Sequence, residues 1–177
     1  MAQRPAKLLD QEGLLNYAAR ALSARAQSLS ELRTRLKRRA ARQEDVEQVL
    51  ARLKEAGFVN DQKFAGAFAD WRRENQGVGK TRVLHDLMAR RVAPAVARAA
   101  VESAYQETDE VAMIEAFLAR KYRGKDLGKL LGEAKYLASA FRKLRGAGFS
   151  AGNSIRVLKR YAAEADLLEE SLPELEE

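Results

Sequence analysis

The sequence predicts an all-α fold, with three tandem three-helix repeats stacked into an elongated body. Ala, Leu, Arg, Glu, Lys and Gln dominate the chain and only three prolines interrupt it, a composition that favours helices. Apolar residues recur at helical spacing from Leu14 to Tyr161, whereas no window alternates apolar and polar residues over the length of a strand. A layout of three short helices then recurs along the chain, as it does in stacked helical proteins.

The repeat layout divides the chain into five segments. The first two copies align when Leu36 is superposed on Leu87, and Leu144 is the equivalent residue in a looser third copy. The predicted segments are an N-terminal extension over residues 1–12, repeats over residues 13–59, 60–106 and 107–165, and an acidic tail over residues 166–177.

In the first repeat, apolar spacing predicts a helix over about residues 14–25. Ser28 or Ser30 can cap the second helix, because a serine hydroxyl accepts a hydrogen bond from a first-turn amide. A third helix is expected to begin near Gln43, where acidic residues suit its positive N-terminal end, and to stop at Gly57.

The second repeat opens with a helix that carries three aromatic residues on one stripe. Asn60 or Asp61 can cap this helix. Aromatic rings at helical spacing usually belong to a core, although they could also stack nucleic-acid bases. We expect the three rings to face inward; they are Phe64, Phe68 and Trp71.

The segment Gly77-Val78-Gly79-Lys80-Thr81 looks like the end of a phosphate-binding P-loop, but the motif is incomplete. It lacks the earlier glycine, since Glu74 stands there, and a charged helix replaces the strand that should precede it. We interpret the segment as a turn between helices and keep Lys80 as a candidate phosphate contact. A second helix then ends in Arg90-Arg91, and Pro94 fits the first turn of a third helix.

The third repeat is longer than the other two. Helices are predicted over residues 111–122, 134–145 and 154–163. The first two are joined by RGKDLGKLLG, in which three glycines and three cations predict a mobile basic loop. From Glu164 onward the chain holds seven acidic residues, so we expect a frayed acidic tail that could also fold back on a basic patch.

The charge and the composition of the chain favour a binding protein over an enzyme. Thirty-two Lys and Arg against twenty-five Asp and Glu leave a net charge of +7, which predicts attraction to polyanions or to an acidic protein surface. With no cysteine and a single histidine, His85, the chain has no thiol nucleophile and no multi-histidine metal centre. The sequence also signals no nucleophile paired with a base, so we expect no metal, no cofactor and no enzymatic activity. The chain lacks a long apolar run, so we expect a cytoplasmic protein without membrane contact.

Basic residues gather in three clusters at comparable positions of the repeats. One such cluster could be a solvated helix face, but three could line a positive track for a phosphate backbone. The candidate partner-binding and DNA-binding residues are Arg33, Arg35, Lys37, Arg38, Arg39 and Arg42; Arg72, Arg73, Lys80, Arg82, Arg90 and Arg91; and Lys121, Arg123, Lys125, Arg142, Lys143 and Arg145. The third cluster also contains Lys129.

Four strings give the chain a family resemblance. They are LLNYAARALSARAQSLSELRTRLKRRAARQEDVEQVLARLKEAGFVND, QKFAGAFADWRREN, GKTRVLHDLMARRV and GFSAGNSIRVLKRY. Over about residues 14–165 the chain resembles the RecX family, regulatory proteins that modulate the recombinase RecA. It departs from the family at the end of the second helix, where Lys-Gly is common. This chain has Arg39-Ala40 and Arg90-Arg91 there, and only Gly148 keeps the glycine.

The resemblance implies a curved, elongated, non-enzymatic protein that lies in the groove of the RecA filament on DNA. There it is expected to lower ATP hydrolysis and strand exchange, and so to act in recombination, DNA repair and the SOS response. RecA, its filament and a weak, sequence-independent contact to DNA are the implied partners, and we expect a monomer. The alternative is a helical DNA-binding protein that acts alone, such as a transcription regulator.

Overall fold

The computed structural model describes residues 8–162 and 165–166, which form ten α-helices and one π-helical segment. Within these ranges no strand forms, and the one β-type contact is an isolated bridge between Leu9 and Ala40. The all-helical prediction is confirmed, and the helix order is consistent with three repeats. The elements are α1 (Gln11–Ala24), α2 (Leu29–Lys37), α3 (Gln43–Glu55), α4 (Asp61–Trp71), π1 (Arg72–Gln76), α5 (Lys80–Ala89), α6 (Pro94–Tyr105), α7 (Glu110–Lys121), α8 (Leu127–Leu131), α9 (Ala134–Gly146) and α10 (Ala151–Leu158).

The chain divides into two compact units. Unit 1 comprises Met1–Phe68 and Asp86–Ala100, and unit 2 comprises Ala69–His85 and Val101–Glu177. Helices α4, α5 and α6 each contribute residues to both units, so the middle triplet of helices is shared between them. The five predicted segments describe the order of helices along the chain, and their boundaries stay a prediction.

In unit 1, the chain before α1 is tied to the turn after α2. The amide of Leu9 donates to the carbonyl oxygen of Arg39 at 2.7 Å, and the carbonyl oxygen of Leu9 accepts the amide of Ala41 at 2.8 Å. Asp10 then caps α1, because its carboxylate accepts a first-turn amide at 2.9 Å. The helix therefore begins at Gln11, earlier than the apolar spacing predicted.

Ser28, rather than Ser30, caps α2. Its Oγ accepts the amide of Glu31 at 3.1 Å, and the carboxylate of Glu31 accepts the amide of Ser28 at 3.1 Å, which completes a capping box. The hydroxyl of Ser28 also donates to the carbonyl oxygen of Arg90 at 2.7 Å. One serine thus sets the start of α2 and fastens the turn after α5 to it.

The expectation that three aromatic rings of α4 face inward is wrong. Ala65 and Ala69 are the fully buried residues of this helix, whereas Trp71 is 50% exposed. Phe64 and Phe68 lie on the flank of the buried alanine stripe, partly covered and with ring centroids 6.0 Å apart. Small side chains occupy the buried stripe, so the large rings are displaced to its edge.

After α4, the helix continues into the unpredicted π1 and ends at Gly77, whose φ is +55°. The turn that follows is a backbone docking point within unit 2. The amide of Gly79 donates to the carbonyl oxygen of Ala147 at 2.9 Å, and that of Thr81 donates to Gly148 at 3.2 Å. These amides are occupied by protein carbonyls, which agrees with a turn between helices and not with a P-loop.

The predicted mobile loop of the third repeat is partly helical. Asp126 caps the short helix α8 by accepting the amide of Lys129 at 3.1 Å, and Leu131 at its end is fully buried. The glycines hid this turn of helix because they lower its propensity, but burial of a leucine holds it in place. The expectation of a wholly mobile loop is therefore wrong.

At the end of unit 2, α10 begins earlier than predicted because Ser150 caps it, its Oγ accepting the amide of Asn153 at 3.3 Å. The predicted acidic tail lies outside the described residues except for Asp166, which forms an ion pair with Lys159. In the described part of the chain, no helix is long and apolar enough to cross a membrane.

Candidate interaction surface

Two arginines of the first basic cluster serve the fold of unit 1. The guanidinium of Arg33 on α2 forms two hydrogen bonds with Glu47 on α3, at 2.9 and 3.0 Å. Arg42 forms two with Asp45, at 3.2 and 3.0 Å, and this carboxylate is almost completely buried. The hydrogen bond and the charge of Asp45 raise the pKa of Arg42 above its usual range. Both guanidiniums are committed to neighbouring carboxylates.

Two further arginines of this cluster lie against an aromatic ring of α1. The guanidiniums of Arg35 and Arg39 lie 5.8 and 5.5 Å from the ring centroid of Tyr17, and Arg35 also donates to the side chain of Gln27 at 2.9 Å. Lys37 and Arg38, at the C-terminal end of α2, are exposed and have no partner among the described residues. The first cluster therefore presents two open cations.

The second cluster is divided between the two units. In unit 2, Arg73 pairs with Asp70 and Glu74 at 3.5 and 2.7 Å and donates to the carbonyl oxygen of Ala104. Lys80 pairs with Glu102 at 3.0 Å. Arg72 hydrogen-bonds Gln76, and Arg82 is also engaged in an interaction.

The same region contains a tyrosine with a perturbed hydroxyl. Tyr105 donates its hydroxyl to the carbonyl oxygen of Val78 at 2.6 Å. Burial raises the pKa of Tyr105 to about 12, against the opposing charges of Arg73 and Arg72. The group therefore stays neutral and holds the turn before α5 against α6.

The remaining members of the second cluster lie in unit 1, at the turn after α5. Arg90 pairs with Glu31 at 3.0 Å and its guanidinium lies 4.9 Å from the ring centroid of Phe68. Arg91 is exposed and has no partner among the described residues; its φ is +58°, in the left-handed region that favours glycine. Gly148 has φ +90° at the corresponding turn of the third repeat. An arginine thus keeps the turn conformation that glycine provides elsewhere.

The third cluster is the most open of the three. Its exposed cations without a partner among the described residues are Lys121, Arg123, Lys125, Lys129 and Arg142. Lys143 donates to the hydroxyl of Tyr122 at 3.2 Å and lies over its ring, which brings the C-terminal half of α9 beside the end of α7. Arg145 is structural, because it donates to the carbonyl oxygen of Phe149 at 2.6 Å.

The region around the third cluster carries a high net positive charge. Residues 120–145 contain nine Lys and Arg against two Asp and Glu, so their net charge of +7 equals that of the whole chain. A polyanion is therefore attracted to the surface formed by the end of α7, α8 and α9.

The structure also adds residues that sequence reasoning missed. Arg25, which follows α1 and stands apart from the basic run of α2, lies in the same pocket as Arg90 and Arg91. Its long separation in sequence from those residues left no signal to find it. Tyr136 on α9, within the third cluster, exposes 39% of its surface.

No group of three or more His, Cys, Asp or Glu residues that could hold a metal occurs among the described residues. His85 is exposed on α5. The open arginine and lysine side chains of the three clusters can bind anionic groups through their guanidinium and ammonium donors.

Comparisons with known proteins identify the family. The family model described as RecX, second three-helix domain, matches residues 60–101. The regulatory protein RecX of Amycolatopsis mediterranei is 31% identical over 157 residues, which cover 85% of this chain and 86% of that protein. The regulatory protein RecX of Deinococcus radiodurans is 46% identical over 79 residues, covering 45% of this chain and 37% of that protein.

Solved structures agree on the fold. The crystal structure of RecX from Lactobacillus salivarius has a TM-score of 0.63 and 16% identity, and the match covers 89% of this chain and 97% of that chain. A second crystal structure, of a regulatory protein RecX, has a TM-score of 0.64 and 16% identity and covers 83% and 70%. With a relative at 31% identity over most of both chains, the protein belongs to the RecX family of regulatory proteins.

Proposed function

We propose that this chain binds RecA and its nucleoprotein filament and lowers RecA-driven ATP hydrolysis and strand exchange, in the cytoplasm and without catalysis of its own. Its membership of the RecX family carries this proposal. Open cations in both units support it, because a regulator of a nucleoprotein filament must approach DNA while it contacts protein subunits. The protein would accordingly act in recombination, DNA repair and the SOS response.

The contacts would fall to the members of the three basic clusters that the fold leaves open. In unit 1 these are Lys37, Arg38 and Arg91, and in unit 2 they are Lys121, Arg123, Lys125, Lys129 and Arg142. The cluster members that pair internally would instead hold the framework, since a guanidinium bound to a carboxylate gains less from a new anion. Arg33, Arg42 and Arg73 belong to this second group.

A direct test is RecA-driven ATP hydrolysis on single-stranded DNA, measured with increasing amounts of this protein. We expect hydrolysis to fall as the protein is added. An unchanged rate at several-fold excess over filament sites would contradict the proposal.

Charge reversal then tests the contact surface. Lys37→Glu combined with Arg38→Glu should weaken the inhibition in a salt-dependent way, because both side chains are open. The matched control is Lys54→Glu combined with Lys63→Glu, which makes the same change in net charge at exposed positions outside the three clusters. Equal inhibition by the two double variants would remove the end of α2 from the contact surface.

The alternative function is a DNA-binding regulator that acts alone. A sharp preference of this protein for one palindromic DNA site would favour that alternative.

A further inference from the structure

Unit 1 contains a pocket lined mainly by arginines, at the place where the turn after α5 meets α2. Its walls are formed by Arg25, Arg35, Arg90 and Arg91, with Thr34 beside them, and its volume is about 260 Å³. Arg25 comes from the end of α1, Arg35 from α2 and the other two from the α5–α6 turn. Four arginines from three parts of the chain therefore line one concavity.

Of the residues that the structure describes, Glu31 is the one carboxylate that lines this pocket. It accepts hydrogen bonds from Arg25 at 3.4 Å and from Arg90 at 3.0 Å. The partners of Arg35, an amide side chain and a tyrosine ring, are neutral. A single negative charge is thus set against four positive ones, and it orients two of the guanidiniums without neutralising the pocket.

The backbone of Arg91 adds an independent observation. Its φ of +58° is one that residues with a Cβ adopt at a conformational cost. The corresponding turn of the third repeat has Gly148 in the left-handed region, so glycine is compatible with this kind of turn. Strained residues of this kind cluster at functional sites, and here the strained residue is one of the four arginines that line the pocket.

We propose that this pocket binds a phosphate group. Planar guanidinium forks match two phosphate oxygens at once, and a concave cluster with a net positive charge favours a dianion or a phosphodiester over a neutral ligand. The phosphate could belong to a DNA backbone or to a free polyphosphate. The pocket refines the proposed contact to DNA and so rests in part on the proposed function.

The test uses the full-length protein without RecA, titrated with a labelled single-stranded oligonucleotide and, separately, with inorganic tripolyphosphate. Arg91→Gly should lower the affinity for at least one of these two ligands about fivefold or more, because it removes a guanidinium group. The midpoint of thermal unfolding should stay unchanged or rise, because glycine relieves the left-handed strain. Arg35→Gln should lower the affinity similarly. The matched control is Arg98→Gln, at an exposed arginine of unit 1 outside the pocket.

The outcomes separate the two sources of phosphate. Loss of affinity for the oligonucleotide alone would assign the pocket to a nucleic-acid backbone, and loss for tripolyphosphate alone would assign it to free polyphosphates. Loss for both ligands would support a site for the phosphate group that they share. If both pocket variants bind both ligands as tightly as Arg98→Gln does, the pocket is not a phosphate site. Because this binding experiment contains no RecA, a negative result would not contradict the proposed regulation of RecA, which the ATP hydrolysis assay tests separately.

Discussion

The backbones of Gly79 and Gly148 pack against each other so closely that neither residue has room for a side chain. A Cβ added to Gly79 would lie 2.2 Å from the carbonyl oxygen of Gly148, and one added to Gly148 would lie 2.3 Å from the amide nitrogen of Arg82. This approach allows the carbonyl oxygens of the α9–α10 turn to accept amides at the start of α5. The first-turn amides of a helix need such partners, so the contact caps α5.

Gly79→Ala should therefore destabilise unit 2. The methyl group meets backbone atoms, which cannot rotate away, so we expect a loss of about 3 kcal/mol in the free energy of unfolding. Denaturant unfolding followed by far-UV circular dichroism measures it. Gly66→Ala is the control, because a Cβ at Gly66 on α4 meets nothing within 4 Å and should stabilise the helix by up to about 1 kcal/mol. Equal stability of the two variants would contradict the close approach.

Ser28→Ala should destabilise unit 1 by about 1–2 kcal/mol, because it removes the cap of α2 and leaves the carbonyl oxygen of Arg90 without its donor. The control is Ser30→Ala, since Ser30 was the other possible cap and its hydroxyl has no partner among the described residues. Chemical denaturation of both variants measures the loss in the free energy of unfolding. A larger loss at Ser30 would mean that the helix starts elsewhere.

Helix order and several caps could be predicted from sequence because they depend on neighbouring residues. The stretch Ser28-Leu29-Ser30-Glu31 contains the capping box in full, and Gly57 ends its helix region with φ +74° as expected. Leu32 and Leu36 are buried as their spacing predicted. These signals lie within one or two turns of a helix, so tertiary contacts did not override them.

The misplaced elements depend on contacts between distant parts of the chain. Trp71 continues the spacing of an aromatic stripe, but it is half exposed because the helix buries its alanines instead. The short helix α8 depends on the burial of Leu131, which its glycine-rich sequence does not reveal. Neither outcome follows from periodicity along one element.

The candidate site shows the same division. A run of cations is visible in the sequence, but the partners of these cations are not. The pair Arg33–Glu47 joins two helices, and the pocket contains both Arg25 and Arg90, which lie far apart in the sequence. Which cations remain open is decided by these pairings. Sequence therefore located the basic clusters and could not sort their members into structural and open residues.

The carboxylate of Glu110 should make unit 2 sensitive to acid. Burial of Glu110 acts to raise its pKa, but hydrogen bonds from Ser150 and Asn153 outweigh this and lower the pKa below its usual range. Because the folded state holds the charged form more strongly than the unfolded state does, Glu110 contributes stability above about pH 4.3, the ordinary glutamate value. This contribution is lost as the pH falls through the lowered folded-state pKa.

Glu110→Gln should accordingly flatten the acid limb of the plot of unfolding free energy against pH. The variant should also be less stable than the parent protein near neutral pH, because an amide is a weaker acceptor for the donors that cap α10. Glu107→Gln serves as the control, since Glu107 is exposed and has no partner among the described residues. An acid limb that Glu107→Gln and Glu110→Gln change equally would show that Glu110 does not titrate with unfolding.

The open cations of the third cluster should dominate binding to DNA. Replacing Lys121, Arg123 and Lys125 together by glutamine removes three charges from residues 120–145, whose net charge is +7. If each contacts one phosphate of a single strand, the slope of log affinity against log salt should become shallower by about 2. Fluorescence anisotropy of a labelled oligonucleotide at several salt concentrations measures the slope.

The matched triple variant, with glutamine at the exposed Lys54, Lys63 and Arg98 of unit 1, changes the net charge equally and should lose much less of the slope. Identical slopes for the two triple variants would show that overall charge, rather than this surface, attracts DNA.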